Sequence, residues 1–507
     1  MDDLEFLFVL LVAAAGLVRL ADLVRVPYPI VLVLGGLGIA LIPGLPDLRL
    51  PPDVVFLVFL PPLLVAAGYY ASPQELRAER TALAHLALVL VLATMAAVAV
   101  VAHALVDGLP WAGAFVLGAV VAPTDPVAAL ATFQRAHAPS RVRLIVEGEA
   151  LLNDATALVS FRVAVGVATG ATFDAAGALG DFAQSVVVGL AVGVAVGWLL
   201  VRIVMRLTDR PLTILWTLLG AYSAYIVAEE LGGSGVLGAV LAGLYLGWHG
   251  STAFDADVRL SAVAFWEVLE FTLTALIFIL LGLQLPALSD NLPVSDVIVP
   301  GLAIVGVVMA MRMAAQFVPG VSTADGVRER VVVGWCGMRG AISLAAALSI
   351  PLDVQGRDQI IVLTVFVIAV TLVGQGMTLG PLVRALGLRD TRVWSPEEAL
   401  ARLEAAQSAL DRLDELETEY DGELPEAVKR LRDLYRARFR MCQEALTGEP
   451  GARDEVREAR FRYGALRREL IGVERTSLLE LRAEGRLRPD TLRLIERELD
   501  LEEARIT

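Results

Sequence analysis

The chain has 507 residues, 56% of them hydrophobic, and a formal net charge of −14. Soluble domains are usually about 45–50% apolar. Here the excess lies between the N-terminus and about residue 388, where apolar runs near the roughly 20-residue length that spans a bilayer follow one another. This distribution excludes an ordinary soluble globular enzyme and points to a polytopic membrane protein with a charged, soluble C-terminal tail. Arginine supplies nearly all the basic charge, Lys429 being the only lysine, and the pattern gives no nucleic-acid surface. Two cysteines, Cys336 and Cys442, give no expectation of a structural disulfide.

The N-terminus, MDDLEFLFVLL, is acidic and lacks the basic lead-in of a cleaved signal peptide, so its first apolar run reads as a retained helix. Thirteen spans follow in chain order, at roughly 5–22, 28–44, 52–70, 81–106, 111–133, 143–168, 182–206, 211–229, 234–250, 262–285, 296–318, 328–350 and 358–386. Odd-numbered loops carry Arg25, Arg77, Arg80, Arg135, Arg141, Arg143, Arg210, Arg259, Arg328 and Arg330. Even-numbered loops carry Arg49 and Arg357. By the positive-inside rule the odd loops and the tail are then cytoplasmic and the N-terminus is outside.

Thirteen is six plus one plus six, and a connecting seventh helix inverts the second set relative to the first. This is the layout of an inverted-repeat transporter, with its site near the midplane on broken helices. Span five, AVVAPTDPVAAL, is broken by Pro123 and Pro126 around Thr124 and Asp125. Span twelve, its counterpart, reads GWCGMRGAISLAAALSIP, with Gly334, Gly337 and Gly340 around Arg339. The fold class expected is therefore all-α and polytopic, with two inverted six-helix repeats, crossed broken helices and a helical tail.

Ionisable residues inside such spans are costly facing lipid and mark sites or buried partners. Four places carry them: Thr124-Asp125, the span-six stretch VEGEALLNDATALVSF, Arg312, and Arg339. Glu149 and Asn153 are four residues apart and share a helix face, while Asp154 lies about 100° further round. Oxygen donors of this kind suit hard cations such as Na⁺, Li⁺ or K⁺. A carboxylate at the midplane can also take a proton, because leaving water disfavours its charged form. One group that holds either a cation or a proton, but not both, is a minimal exchanger.

All of these residues but Asp154 also have a purely structural reading. Asp125 fits a cap on an unwound helix end as well as an ion contact. Glu149 reads as a partner for an arginine, and Arg312 and Arg339 as electrostatic supports, since a permanent cation carries no proton. Glu147 reads as a solvated residue at the cytoplasmic mouth of span six. Asp154, a lone acid deep in an apolar helix beside an amide, reads as functional. His85, His103, His137 and His249 lie in loops or near span ends and are poor proton carriers. The small-residue run from Gly233 to Gly247 reads as a close-packing face.

The motifs VAPTDPVAA, EGEALLNDAT, SGVLGAVLAGL, LIFILLGLQL and GWCGMRGAISLAAAL, in this order, resemble the first monovalent cation/proton antiporter family, the bacterial and eukaryotic sodium/proton exchangers. The resemblance covers spans one to thirteen. It implies that Asp154 is the alternating cation and proton site, with Asn153 beside it. It further implies that Thr124 and Asp125 supply oxygens and charge at the helix crossing, that Glu149 pairs with Arg312, and that Arg339 offsets charge and helix dipoles. It implies a homodimer in which core spans (about 81–168 and 296–386) slide against dimerisation spans (about 5–70 and 211–285), joined by a linker span at about 182–206. The Asn-Asp pair resembles the electroneutral branch, and one titratable site exchanging one proton for one monovalent cation moves no net charge. Three departures from the family pattern stand out: Ala150 replaces a serine, Ala66 stands where some relatives have an acid, and Thr274 stands where an asparagine is common.

The tail, residues 389–507, opens with SPEEALARLEAAQSALDRLDEL, where Ser395 and the following proline form a helix-start signal. Leucines at helical spacing (Leu403, Leu410 and Leu413, then Leu431 and Leu434) flank a turn marked by Gly422 and Pro425. This stretch reads as a cytoplasmic helical domain, paired across a dimer or else a charged solvated helix with no regulatory role. The expected activity is secondary-active, electroneutral exchange of Na⁺ (or K⁺ or Li⁺) for H⁺ across the cell membrane, with no cofactor and no enzymatic step. A cation channel with a sensing tail is the alternative, against which no repeated selectivity filter is visible.

Overall fold

Long apolar runs have one way to satisfy every backbone group without water, which is to bond within the segment as helix. The computed structural model describes residues 3–24, 26–42, 55–136, 138–172, 174–289, 294–318, 326–388, 396–419, 426–447, 450–483, 486 and 489–504, and no strand occurs among them. They divide into two compact units, Met1–Asp390 and Thr391–Thr507.

In the first unit, besides a short helix at Pro73–Ala78, the helices are α1 (Asp3–Val24), α2 (Tyr28–Ala40), α3 (Leu60–Tyr70, after a π-helical lead-in Val55–Phe59), α4 (Val91–Leu105, continuing Arg80–Ala84 and a π-helical His85–Leu90), α5 (Trp111–Val121), α6 (Val127–Ala136), α7 (Ser140–Ala168), α8 (Ala175–Val204), α9 (Arg210–Glu230), α10 (Gly235–Ala253), α11 (Ala256–Ser289), α12 (Val294–Ala315), α13 (Val327–Trp335), α14 (Ala341–Leu348) and α15 (Arg357–Ala385). A helix, or two helices separated by a break, lies at each segment predicted from the sequence. Among the described residues, seven helices are long and apolar enough to cross a membrane, and four shorter apolar ones, at Tyr28–Ala40, Leu57–Tyr70, Trp111–Val121 and Gly235–Gly250, accompany them.

The helix starts follow local rules. Asp174 accepts hydrogen bonds from the Ala176 and Gly177 amides at 3.1 and 3.0 Å, and Asp209 accepts from Leu212 N at 3.0 Å, each satisfying donors that a first turn leaves open. Two sets of helices pack mainly among themselves: α4–α7 with α12–α15, and α1–α3 with α9–α11, α8 lying against α9 and α10. The small-residue face is used for close approach. Gly243 and Gly247 of α10 lie on the Val65 and Tyr69 carbonyls of α3, where a Cβ would collide with backbone.

The ends of the first unit carry cross-links between the two sets. Arg135 of α6 donates to the Val26 carbonyl at 2.7 Å and to Asp22 at 2.6 Å. Arg162 of α7 pairs with Glu229 of α9 at 2.5 Å, and Glu229 also accepts from Gly235 N at 2.9 Å. His85, His103 and His249 each bond a backbone carbonyl, of Thr81, Leu109 and Tyr245. Cys336 is buried. Arg25, Arg49, His137, Ser395 and the Gly422–Pro425 turn lie outside the described residues.

The second unit contains α16 (Pro396–Glu419), α17 (Glu426–Thr447), α18 (Pro450–Ala483) and α19 (Pro489–Ala504). Helices α16 and α17 pack on each other and bury Ala399, Ala406, Leu413 and Cys442. Leu431 and Leu434, read from spacing as part of an apolar stripe, are instead 44% and 47% exposed. Of the predicted stripe Leu413 is buried, but small side chains at Ala399 and Ala406 form the rest of the contact on α16, and a leucine periodicity does not report them. Arg467–Glu502 and Arg475 with Asp500 and Glu503 tie α19 to α18.

Candidate functional site

The site is built where two interrupted helices cross. Helix α5 stops at Val121 and α6 starts at Val127, leaving Ala122–Pro126 non-helical. Helix α13 stops at Trp335 and α14 starts at Ala341, leaving Cys336–Gly340 non-helical. The prolines and glycines account for both breaks: proline cannot donate in a helix interior, and glycine gains least from one. The two breaks touch through backbone, with Asp125 N–H donating to the Met338 carbonyl at 2.8 Å.

A broken helix exposes amide donors at one half-helix start and carbonyl acceptors at the other half-helix end. Asp125 meets the donors. Its Oδ1 accepts from Val127 N at 2.8 Å, opening α6, and the Ala341 amide that opens α14 also bonds its carboxylate. The approach is so close that a Cβ on Gly340 would fall on the Asp125 carboxyl group. Arg339 meets the acceptors. Its Nε donates to the Val121 carbonyl at 2.7 Å, its Nη2 to Ala122 at 3.2 Å, and its Nη1 to Gly337. One anion thus caps two helix starts, and one cation caps the end of α5.

Helix α7 passes beside the crossing and presents two chemistries on two faces. On one face Glu149 forms a bidentate pair with Arg312 of α12, with Nη2 to Oε2 at 3.0 Å and a second contact from Nη1 to Oε1; Arg312 Nε also donates to the Val333 carbonyl at 3.2 Å. Both side chains are 2% exposed. Asn153, one turn on, donates from Nδ2 to Thr124 Oγ1 at 2.8 Å, and its Oδ1 is buried without a partner. On the other face Asp154 is 6% exposed, and no group among the described residues hydrogen-bonds its carboxylate.

Asp154, Asp125 and Thr124 line one cavity of about 440 Å³. The predicted site residues therefore separate. Asp154, Asp125 and Thr124 share the cavity, Asn153 orients Thr124 from behind it, and Glu149, Arg312 and Arg339 stand in the surrounding packing. Ala150 and Thr274 line the cavity, whereas Ala66 is buried and off its wall. Exposed Glu147 lines it at the start of α7, near Gln134 and Leu76.

Among the polar lining residues that the sequence did not single out are Ser343 at the start of α14, and Glu267 and Glu270 on α11. The signal for the glutamates was present in AFWEVLEFTL, two acids three residues apart inside a predicted span. A run read for its apolar length hid them.

The comparisons agree with this geometry. The family described as sodium/hydrogen exchanger, transmembrane, matches residues 7–385. An uncharacterized Na(+)/H(+) exchanger of Mycobacterium tuberculosis (strain ATCC 25618 / H37Rv) is 34% identical, over 100% of this chain and 97% of the relative. The low-affinity Na(+)/H(+) antiporter NhaS1 of Synechocystis sp. is 32% identical over 88% and 84%, and the Na(+)/H(+) antiporter ApNhaP of Aphanothece halophytica 30% identical over 81% and 80%. The solved structure of the sodium proton antiporter MjNhaP1 from Methanocaldococcus jannaschii at pH 8 shares the fold. Its TM-score is 0.62 at 21% identity, covering 76% of this chain and 98% of that one. Crossed interrupted helices, a match along almost the whole first unit and full-length relatives together assign the chain to the sodium/hydrogen exchanger family of membrane antiporters.

Proposed function

We propose that the protein exchanges a monovalent cation, Na⁺ foremost, for a proton across the cell membrane by alternating access, with Asp154 as the group that carries either ion. The observation that carries this reading is the Asp154 carboxylate, buried, unpartnered and facing a cavity at the helix crossing. Asp125 is occupied by amide donors, Glu149 by Arg312, and Arg339 by carbonyls; Asp154 alone of these has an open coordination sphere. Thr124 Oγ1 and the cavity-facing oxygens beside it complete a set of hard donors suited to an alkali cation.

One carboxylate that accepts one proton or one monovalent cation moves the same charge in each direction, so the cycle is electroneutral. The arginine distribution supports thirteen spans with the N-terminus outside and the tail cytoplasmic, and the two interrupted helices at corresponding positions support two inverted six-helix repeats. The cavity then opens toward the cytoplasmic end, beside Arg77 and Arg135. In this reading the set α4–α7 with α12–α15 is the moving core, α1–α3 with α9–α11 form the dimerisation scaffold of a homodimer, α8 is the linker, and residues 389–507 are the cytoplasmic tail.

The test is reconstitution in proteoliposomes with proton flux driven by Na⁺, K⁺ or Li⁺, with and without an imposed potential. Wild-type protein is expected to exchange at a rate insensitive to potential, and Asp154→Asn to fold and lose exchange. Retained cation-driven proton flux in Asp154→Asn overturns the assignment of that residue. Cation flux that ignores the proton gradient replaces antiport by a channel.

A further inference from the structure

The wall of the cavity opposite Asp154 carries its own acids. Glu267 and Glu270 sit three residues apart on α11, on the same helix face, and both line the cavity that Asp154 and Asp125 line from the other side. Glu270 is half-buried and Glu267 exposed. Neither has a cationic partner among the described residues, and their electrostatic neighbours are each other and the phenols of Tyr28 and Tyr70. The arginines nearest in sequence on either side are engaged elsewhere: Arg259 donates to the Phe254 carbonyl, and Arg312 pairs with Glu149.

Uncompensated carboxylates on an apolar wall are costly and persist where something mobile offsets them. Asp154, more than nine-tenths buried, without a partner and aimed into the same space, is an independent sign that a cation belongs there. A cleft lined with one sign of charge and apolar walls focuses the field and concentrates counter-ions.

We propose that Glu270, supported by Glu267, is a cation-recruiting position on the α11 wall that draws the monovalent cation from the cavity mouth to Asp154. Glu270 then sets the apparent affinity at the face where this cavity opens and leaves the exchange step to Asp154. The same residue adds oxygen donors to a wall on which Ala150 supplies none. The inference rests on the antiport reading for its kinetics, and a binding readout separates the two.

The experiment measures exchange by oriented proteoliposomes with Na⁺ presented at either face, together with Na⁺-dependent thermal stabilisation of the purified protein. Glu270→Gln is expected to raise KM for Na⁺ at the cavity face by about tenfold, the lower end of electrostatic focusing. The maximal rate and the KM at the opposite face stay within about twofold, a split that general damage to the fold does not give. Glu270→Asp retains most of the wild-type affinity, and Glu267→Gln shifts KM in the same direction by less. The Na⁺ concentration for half-maximal stabilisation rises with KM. If Glu270→Gln does not purify, wild-type KM at the cavity face should climb with ionic strength set by an impermeant salt, more steeply than at the other face. Unchanged KM and stabilisation midpoint in Glu270→Gln, or equal salt dependence at both faces, overturns the proposal. Wild-type protein without exchange counts against antiport, and the stabilisation midpoints then still decide the role of Glu270.

Discussion

At the scale of single residues, the crossing is an arrangement of fixed charges meeting fixed dipoles. Charge-assisted hydrogen bonds are roughly twice as strong as neutral ones, which favours one carboxylate shared by two helix starts over two separate caps. This sharing needs Gly340. Gly340→Ala would place a methyl on the Asp125 carboxyl group and push the two half-helices apart, and an ångström-scale displacement can cost about a hundredfold in rate. The prediction is a near-complete loss of exchange in a protein that still purifies. The Glu149–Arg312 pair makes a different prediction. Removing one member strands a buried charge at a cost of about 3–5 kcal/mol, whereas replacing both by apolar residues restores much of the stability. Thermal unfolding of Glu149→Gln, Arg312→Met and the Glu149→Leu/Arg312→Met double variant checks this; equal stability of single and double variants contradicts it.

These predictions also mark what could be read from the sequence. The prolines, glycines and lone charges that break membrane-helix composition were visible in the string, as was the four-residue spacing that puts Glu149 and Asn153 on one face. The distribution of partners was not. That Asn153 points at Thr124 and away from the cavity depends on where α5 ends relative to α7. That Glu267 and Glu270 share a cavity with Asp154 depends on how the other helices hold α7 and α11 around it, and the two stretches lie far apart in sequence. Periodicity reports a helix's own faces and carries no information on which neighbour each face meets.

At the scale of elements, α7 links the site to the far end of the bundle. Asp154 stands in its middle, and eight residues on Arg162 grips Glu229 of α9, away from the cavity mouth. In the proposed alternating cycle, with α7 in the moving core and α9 in the scaffold, that contact parts when the site turns to the other face. The pair is partly exposed, at 51% and 29%, and such pairs contribute about 0.2–1 kcal/mol. Arg162→Glu should therefore alter the exchange rate by no more than about fivefold. The charge-swapped Arg162→Glu/Glu229→Arg variant should recover part of that change, though not the Gly235 contact. A double-mutant cycle on proton flux measures the coupling, and additive single effects show that the pair plays no part in the cycle.

At the scale of the whole molecule, two compact units imply two cooperative transitions. Multi-domain chains depart from two-state unfolding for this reason. Scanning calorimetry of the purified protein should resolve a transition that disappears when the chain is ended at Leu388, while the larger transition stays in place. A single merged transition in the full chain would show that the units unfold together.

The chain's two thiols, Cys336 and Cys442, are 1% and 3% exposed. A membrane-impermeant maleimide should thus find little to modify on the folded wild-type protein, which becomes its own blank for labelling. Single cysteines introduced at Leu76 or Gln134, beside the cavity mouth, can then be followed in a native background without first removing the natural ones. The sequence economises on thiols, and a chemist inherits a clean canvas on which the opening and closing of each face can be timed.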